Sequence, residues 1–239
     1  MLDDKVSLAG LRPGWAGRGM AAGGAQAGGM AVLAVKVVAV AGSHRRNGNT
    51  ELALGIMAVK LAEFGVETEI LPLAGKKIEP CRACDRCKQV RQCLISDDLV
   101  EVMEKMAAAD GIILASPVYS FNITPVMHNL LVRGNRYFHI LAAPKPAKEY
   151  VFSYANVPSS ILRGKVGAAL TVARRAGGGA ALAGLYNFML VNEMYVVGSC
   201  YETSIFGYNR GEITQDREGI NNLRRLAENM GVLLQKLSC

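Results

Sequence analysis

The sequence is poor in aromatic residues, and it lacks the charge pattern of a nucleic-acid-binding protein. Phe, Trp and Tyr together make up 6% of the 239 residues. The formal net charge is +7, but the lysines and arginines are spread along the chain. Nucleic-acid readers instead gather basic residues in a stripe with interleaved aromatic side chains. We therefore expect no nucleic-acid partner.

Long uninterrupted apolar segments are also missing. A membrane-spanning helix needs about 18–20 consecutive apolar residues, and no segment of this chain reaches that length. The N-terminus carries Asp3 and Asp4 and has no hydrophobic signal segment. We therefore expect a cytoplasmic protein with no membrane partner. Disulfides are rare in that compartment, so the six cysteines are better explained by metal binding or catalysis.

Composition divides the chain into two regions. Residues 1–30 are rich in Gly and Ala and show no hydrophobic period, so we expect a flexible extension that cannot bury enough apolar surface to fold. Residues 31–239 have the composition of one globular domain. Within that domain, residues 143–163 contain three prolines and no regular pattern, which indicates a long loop.

The domain alternates apolar runs typical of buried strands with segments of helical period. The predicted strands are 31–40, 66–71, 111–115, 166–172 and 194–198, and the predicted helices are 51–64, 99–106, 125–133, 179–193 and 217–237. Such alternation favours right-handed crossovers and a parallel sheet between two helix layers. We predict an α/β, doubly wound, five-stranded parallel sheet in the flavodoxin-like order 2-1-3-4-5.

A loop that can bind phosphate follows the first predicted strand. We call residues 42–50 the phosphate loop. It opens a helix, where free backbone N–H groups and the helix dipole attract anions, and it contains neither the Walker A lysine nor the dinucleotide glycine pattern. A mononucleotide phosphate such as that of FMN fits it, although an ordinary strand-to-helix turn has a similar composition. The candidate binding residues here are Ser43, Arg45, Asn47, Gly48, Asn49 and Thr50.

A second loop follows the third predicted strand. In a doubly wound sheet, ligands bind beyond the carboxyl ends of the strands, where the strand order reverses. This loop should therefore lie beside the phosphate loop and offer backbone groups and a ring to a flat heterocycle, although a proline turn with a packed tyrosine explains the segment equally well. Its candidate binding residues are Pro117, Val118, Tyr119 and Ser120.

Four cysteines lie close together after the second predicted strand, in a segment that we call the cysteine loop, residues 80–95. Cys81, Cys84, Cys87 and Cys93 have the spacing C-x2-C-x2-C-x5-C. Short gaps of this kind wrap a loop around an iron–sulfur cubane, and a [4Fe-4S] cluster is the favoured interpretation. Structural zinc, which usually takes two separated cysteine pairs, and free thiols or a redox disulfide are the alternatives.

These motifs, taken together, resemble the iron–sulfur flavoprotein branch of the NADPH-dependent FMN reductase family. The resemblance covers residues 35–237 and depends on Gly42–Thr50, the four cysteines ahead of Ser96–Asp98, Ala109–Gly111 and Ser116–Tyr119. It implies FMN with its phosphate on the phosphate loop and its ring system near Pro117–Tyr119. It also implies a homodimer or homotetramer with the cluster near a flavin of a neighbouring subunit.

The resemblance implies electron transfer from NAD(P)H or ferredoxin to an acceptor such as a flavin, a quinone or an oxygen species. In such proteins the flavin carries the chemistry, and we nominate no catalytic side chain. Two rivals are a ferredoxin-linked electron carrier without a small-molecule substrate and a cluster-free NAD(P)H-dependent FMN reductase. A third is an assembly or regulatory module that keeps FMN as a structural ligand.

Overall fold

The computed structural model describes residues 35–142 and 159–238. The expected flexible extension and most of the expected long loop lie outside the described residues. The strands are β1 (Val35–Ala41), β2 (Val66–Pro72), β3 (Gly111–Pro117), β4 (Val166–Ala173), β5 (Tyr195–Val196) and β6 (Ser204–Phe206). The helices are α1 (Asn49–Ala62), α2 (Cys87–Val90), α3 (Leu99–Ala108), α4 (Pro125–Ala142), α5 (Gly178–Val191) and α6 (Arg217–Ser238), with a 3-10 turn at Glu212–Gln215.

The strands form one parallel sheet in the order β2-β1-β3-β4-β5, which confirms the predicted topology. In β3 and β4 nearly every residue is buried, as expected of strands covered on both faces. Helices α1 and α6 cover one face, where Leu54, Met57 and Met230 join the core. Helices α3, α4 and α5 cover the other, with Met103, Met127 and Leu185 in its core.

The fifth predicted strand, 194–198, is shorter than expected and is continued by a sixth. β5 pairs with Val166–Gly167 at the start of β4, and β6 pairs with Thr171–Ala173 at its end. Between them the chain leaves β4 and bonds to α6: Asn229 donates to the Gly198 carbonyl at 2.8 Å, and the Ser199 hydroxyl donates to the Asn222 carbonyl at 2.8 Å. These bonds replace the ladder bonds that a continuous strand would make.

Helix α4 is longer than predicted. It was expected to end near Arg133, but it continues through Gly134 to Ala142. A side chain at Gly134 would meet the methyl carbon of Met103 at 2.9 Å, so the glycine allows α3 to approach and does not stop the helix. Among the described residues, no helix has both the length and the apolar character needed to cross a membrane.

Candidate functional site

A cavity of about 400 Å³ lies beyond the carboxyl ends of β1, β3, β4 and β6. Most of the candidate binding residues line it: Ser43, Arg45, Gly48, Asn49, Thr50, Pro117, Val118 and Tyr119. The expectation that the two loops are neighbours is therefore confirmed. In a doubly wound sheet, ligands bind at the point where the strand order reverses. In this sheet that point lies between β1 and β3, and the cavity is located there.

The start of α1 forms one wall of the cavity. Gly48 precedes the helix and no side chain caps it, so the first-turn amides keep their hydrogen-bonding capacity for a ligand. The buried residues Ser43 and Thr50 add hydroxyl groups, and the Ser43 oxygen accepts a bond from the Arg45 amide at 3.0 Å. Neutral donors and a helix N-terminus together suit an anion.

Two candidate residues do not line the cavity. Asn47 has a left-handed backbone (φ 52°), and its amide donates to the Glu51 carboxylate at 2.9 Å. Ser120 lies at the tip of a tight hairpin in which Tyr119 and Asn122 exchange backbone bonds of 2.8 and 2.9 Å. Ser120 and Phe121, the two residues at the tip, both have positive φ, as in type I′ turns. Local turn geometry thus removes both residues from the cavity wall.

The remaining wall comes from segments that the sequence reasoning did not assign to the site: Val172, Arg174, Gly207, Tyr208 and Arg210. Arg174 directly follows β4 and precedes the glycines that open α5. Its guanidinium carbon lies 4.6 Å from the centre of the Tyr208 ring, a cation–π contact. In the sequence, the features that could have indicated these wall residues are the pair Arg174-Arg175 and the run Tyr208-Asn209-Arg210, each of which follows an apolar strand.

The loop after β6 is bonded directly to the phosphate loop. The Asn49 side-chain amide donates to the Asn209 carbonyl at 2.8 Å and accepts a bond from the Gly211 amide at 2.7 Å. Arg210 donates to the Arg46 carbonyl at 3.0 Å. These bonds join segments about 160 residues apart and close the cavity on its far side.

The charge around the cavity is positive. Its described lining residues include Arg45, Arg174 and Arg210 and no carboxylate. Nearby Glu212 is occupied: its carboxylate accepts bonds from the amides of Asn209 and Tyr208. These bonds, more than the charge of Arg174, hold the pKa of Glu212 below its usual value. An anionic group therefore meets favourable charge in the cavity.

The cysteine loop lies between β2 and α3, and none of its described residues lines the cavity. Cys81 and Cys84 are exposed, and Cys87 and Cys93 are half-buried. Within the described ranges, no three Cys, His, Asp or Glu side chains lie close enough together to hold a metal ion. The four-cysteine ligand set stays a prediction from spacing.

Two arginines of α4 that the sequence reasoning did not identify reach the cysteine loop: Arg133, which is buried, and Arg136, which is half-buried. Arg133 donates to the Cys93 sulfur at 3.0 Å and forms an ion pair with Asp97. Burial alone raises the pKa of Asp97, but the Arg133 bond, with the Glu79 and Leu99 amides, more than offsets it and lowers that pKa.

Arg136 forms an ion pair with Asp85. Burial works against its charged form, but a hydrogen bond to Cys87 and the charges of Cys87, Asp85 and Cys81 outweigh burial and raise the pKa of Arg136. The arginines of α4 therefore present positive charge to three of the four thiols.

Comparisons with known proteins agree with this arrangement. A family model described as NADPH-dependent FMN reductase matches residues 35–205. An iron-sulfur flavoprotein of Methanocaldococcus jannaschii is 32% identical over 211 residues, which cover 84% of this chain and 98% of that protein. An iron-sulfur flavoprotein of Methanosarcina thermophila is 31% identical over 206 residues, 84% of this chain and 96% of that protein.

The fold is also found among solved structures. RosB, solved with bound 8-demethyl-8-formylriboflavin-5'-phosphate, has a TM-score of 0.62 at 18% identity, covering 85% of this chain and 80% of that one. At that identity the likeness shows the fold alone. The family match spans most of the described domain, and both relatives are matched along nearly their whole length. The chain therefore belongs to the NADPH-dependent FMN reductase family.

Proposed function

We propose that this protein is a flavin-dependent oxidoreductase that binds FMN in the cavity and a [4Fe-4S] cluster on Cys81, Cys84, Cys87 and Cys93. It would pass electrons from NAD(P)H or ferredoxin to a flavin, a quinone or an oxygen species. A cytoplasmic location and a homodimeric or homotetrameric state belong to the same proposal. The family match and the names of the two iron-sulfur flavoprotein relatives support it.

One observation carries the FMN part of the proposal. The cavity combines an uncapped helix start, three arginines and no carboxylate among its described lining residues. Such a site favours an anion, and its tyrosines Tyr119 and Tyr208 supply apolar surface for a heterocycle. The residues present therefore fit FMN, and the amides of the phosphate loop together with Arg45 would hold its phosphate.

When bound, FMN supplies both one-electron and two-electron chemistry, so the protein's own contribution is binding, orientation and electrostatics. Arg45, Arg174 and Arg210 raise the local positive potential, which favours anionic forms of a bound group. The Arg174–Tyr208 contact and the Asn49–Asn209 bond fix the outer wall. No side chain in this arrangement needs to act as a general acid or base.

The cluster part of the proposal depends on the chemistry of the ligands. Four thiols within one short loop are the donor set of an iron–sulfur cluster. Nearby positive charge favours the thiolate form of cysteine, and Arg133 and Arg136 supply such charge. The residues therefore fit the group in composition and charge.

The exposed position of Cys81 and Cys84 favours a second candidate, a ferredoxin-linked carrier. Basic residues Arg82, Arg86 and Lys88 lie between the cysteines. An exposed basic surface suits docking of an acidic electron-transfer protein, and steering of that kind weakens as salt is added. In this candidate the chain has no small-molecule substrate of its own.

The deciding experiment is an anaerobic absorbance spectrum of the full chain with iron, zinc, sulfide and flavin analysis. We expect a flavin spectrum with added cluster absorbance and near-equal iron and sulfide. Reduction is then followed separately with NADH, with NADPH and with reduced ferredoxin. Fast reduction by a pyridine nucleotide supports the oxidoreductase, and fast reduction by ferredoxin alone supports the carrier.

Matched cysteine variants control this experiment. Cys84→Ser should remove the iron and leave the flavin in place, whereas Cys200→Ser, an equally exposed thiol outside the cysteine loop, should keep both. If the analysis finds zinc and no sulfide, the cysteines hold a structural zinc ion and the cluster part of the proposal is wrong. A wild-type chain that binds neither flavin nor iron would refute the proposal as a whole.

A further inference from the structure

Helix α4 presents a row of polar side chains to the cysteine loop. Asn129, Arg133 and Arg136 are spaced four and three residues apart, which places them on one face of the helix. Asn129 donates to the Ile78 carbonyl at 2.9 Å, and Arg136 pairs with Asp85. The residues just before the cysteine loop and the middle of the loop are therefore both attached along this face.

The segments that flank the cysteine loop, residues 77–79 and 97–98, form its two ends and are also bonded to each other. The Asp98 amide donates to the Lys77 carbonyl at 3.0 Å, and the Lys77 amide donates to the Asp98 carboxylate at 2.6 Å. The Glu79 amide donates to the Asp97 carboxylate at 2.8 Å. Asp97 thus belongs to the closed base of the loop.

Arg133 is the one described side chain for which the structure gives bonds to both ends of the loop and to a cysteine sulfur. Its guanidinium donates to the Glu79 carbonyl at 3.0 Å, to the Asp97 carboxylate, and to the Cys93 sulfur at 3.0 Å. The residue is 4% exposed, so water does not compete for these donors. A buried guanidinium with several donors fixes the geometry of the groups that it contacts.

We infer that Arg133 is a positioning residue, which holds Cys93 and both ends of the cysteine loop on α4 and whose charge at Cys93 raises the reduction potential of the cluster. This inference rests on the proposed [4Fe-4S] site. Hydrogen bonds to cluster sulfurs and local charge are two of the factors that set such potentials. A positive donor favours the reduced cluster because that state carries one more negative charge.

A purely structural role is the competing explanation, because Arg133 also neutralises a buried carboxylate. Two variants separate the roles. Asp97→Asn removes the ion pair and leaves the Arg133 contact to Cys93, and the double variant Arg133→Met with Asp97→Asn removes the contact as well. Arg133→Met alone would leave the buried Asp97 carboxylate without its charged partner, which is strongly destabilising, whereas in Asp97→Asn the Arg133 guanidinium keeps the Glu79 carbonyl and the Cys93 sulfur as acceptors.

The first readout is the midpoint potential of the cluster, from a redox titration followed by electron paramagnetic resonance. We expect Asp97→Asn to shift the potential upward from the wild-type value, since Arg133 is then no longer neutralised. The double variant should shift it below the Asp97→Asn value, and Arg133→Lys in the Asp97→Asn background should recover part of that shift. Equal potentials for Asp97→Asn and the double variant would overturn the inference.

The second readout uses the iron-free chain, so it does not depend on the cluster. Amide hydrogen exchange of the cysteine loop should be about thirtyfold faster in the double variant than in Asp97→Asn, as expected for two lost hydrogen bonds, to the Glu79 carbonyl and the Cys93 sulfur, of about 1 kcal/mol each. Equal exchange rates would refute the positioning role. A wild-type chain that binds no iron would instead refute the cluster part of the proposed function, and the exchange rates would still decide whether Arg133 holds the loop.

Discussion

Gly42, the first residue of the phosphate loop, lies where three elements meet, and replacing it by alanine tests how that loop is held. Its amide donates to the Ala115 carbonyl at 2.7 Å, and its carbonyl accepts a bond from the Thr124 hydroxyl at 2.6 Å. A β-carbon added here would lie 2.8 Å from the methyl carbon and 3.0 Å from the β-carbon of Met127, and 3.1 Å from the Ala115 oxygen.

These distances set the size of the effect. The Met127 methyl group can rotate away, but its β-carbon and the Ala115 carbonyl are fixed to the backbone of α4 and β3, so the phosphate loop itself must move. Overpacking of this kind costs about 1–3 kcal/mol. For a domain of this size that lowers the Tm by about 2–12 °C, and the displaced loop should bind FMN more weakly.

Urea unfolding followed by circular dichroism measures the change, with Gly55→Ala as the matched control. Gly55 lies inside α1, and a β-carbon there meets nothing within 4 Å. That substitution should stabilise the protein by about 0.5–1 kcal/mol because alanine has a higher helix propensity than glycine. A Gly42→Ala protein as stable as the wild type would contradict the packing argument.

Three further predictions follow from single contacts. Thr124→Val removes a buried hydroxyl that bonds the Gly42 carbonyl and the Met127 amide, so urea unfolding should show a loss of about 1–3 kcal/mol; an unchanged midpoint would refute it. Because the pKa of Asp97 is lowered in the folded state, its contribution is present above about pH 4 and is lost as the pH falls through the folded pKa. As the pH is lowered from about 5 to about 3, the free energy of unfolding should therefore fall less for Asp97→Asn than for the wild type. Parallel curves of unfolding free energy against pH would contradict this. Arg174→Met should raise the Kd for FMN about tenfold, with the largest effect at low salt. Arg163→Met is the control, because Arg163 lies just before β4, at the end of the strands opposite the cavity, and should leave the Kd unchanged. Equal Kd values for the two variants in fluorescence titrations would count against the role of Arg174.

Local sequence patterns determined the sheet and one half of the cavity. Apolar runs such as Ile112–Ala115 can only be buried on both faces, and their alternation with helices leads to a parallel sheet whose loops meet at one edge. The phosphate loop and Pro117–Tyr119 follow their strands directly, so strand order alone brings them together. The close spacing of the four cysteines is likewise a property of one short segment.

Tertiary structure alone decided the other half of the cavity and the setting of the cysteines. Tyr208 and Arg210 reach the site because the chain splits its last sheet position between β5 and β6, and the loop after β6 is then bonded to Asn49 at the start of α1. Arg133 meets Cys93, forty residues earlier in the chain, because α4 packs beside the cysteine loop, and Arg136 reaches Asp85 because the helix continues past Gly134. Propensity and periodicity describe neighbours along the chain, whereas these contacts depend on the path between elements, which no local pattern records.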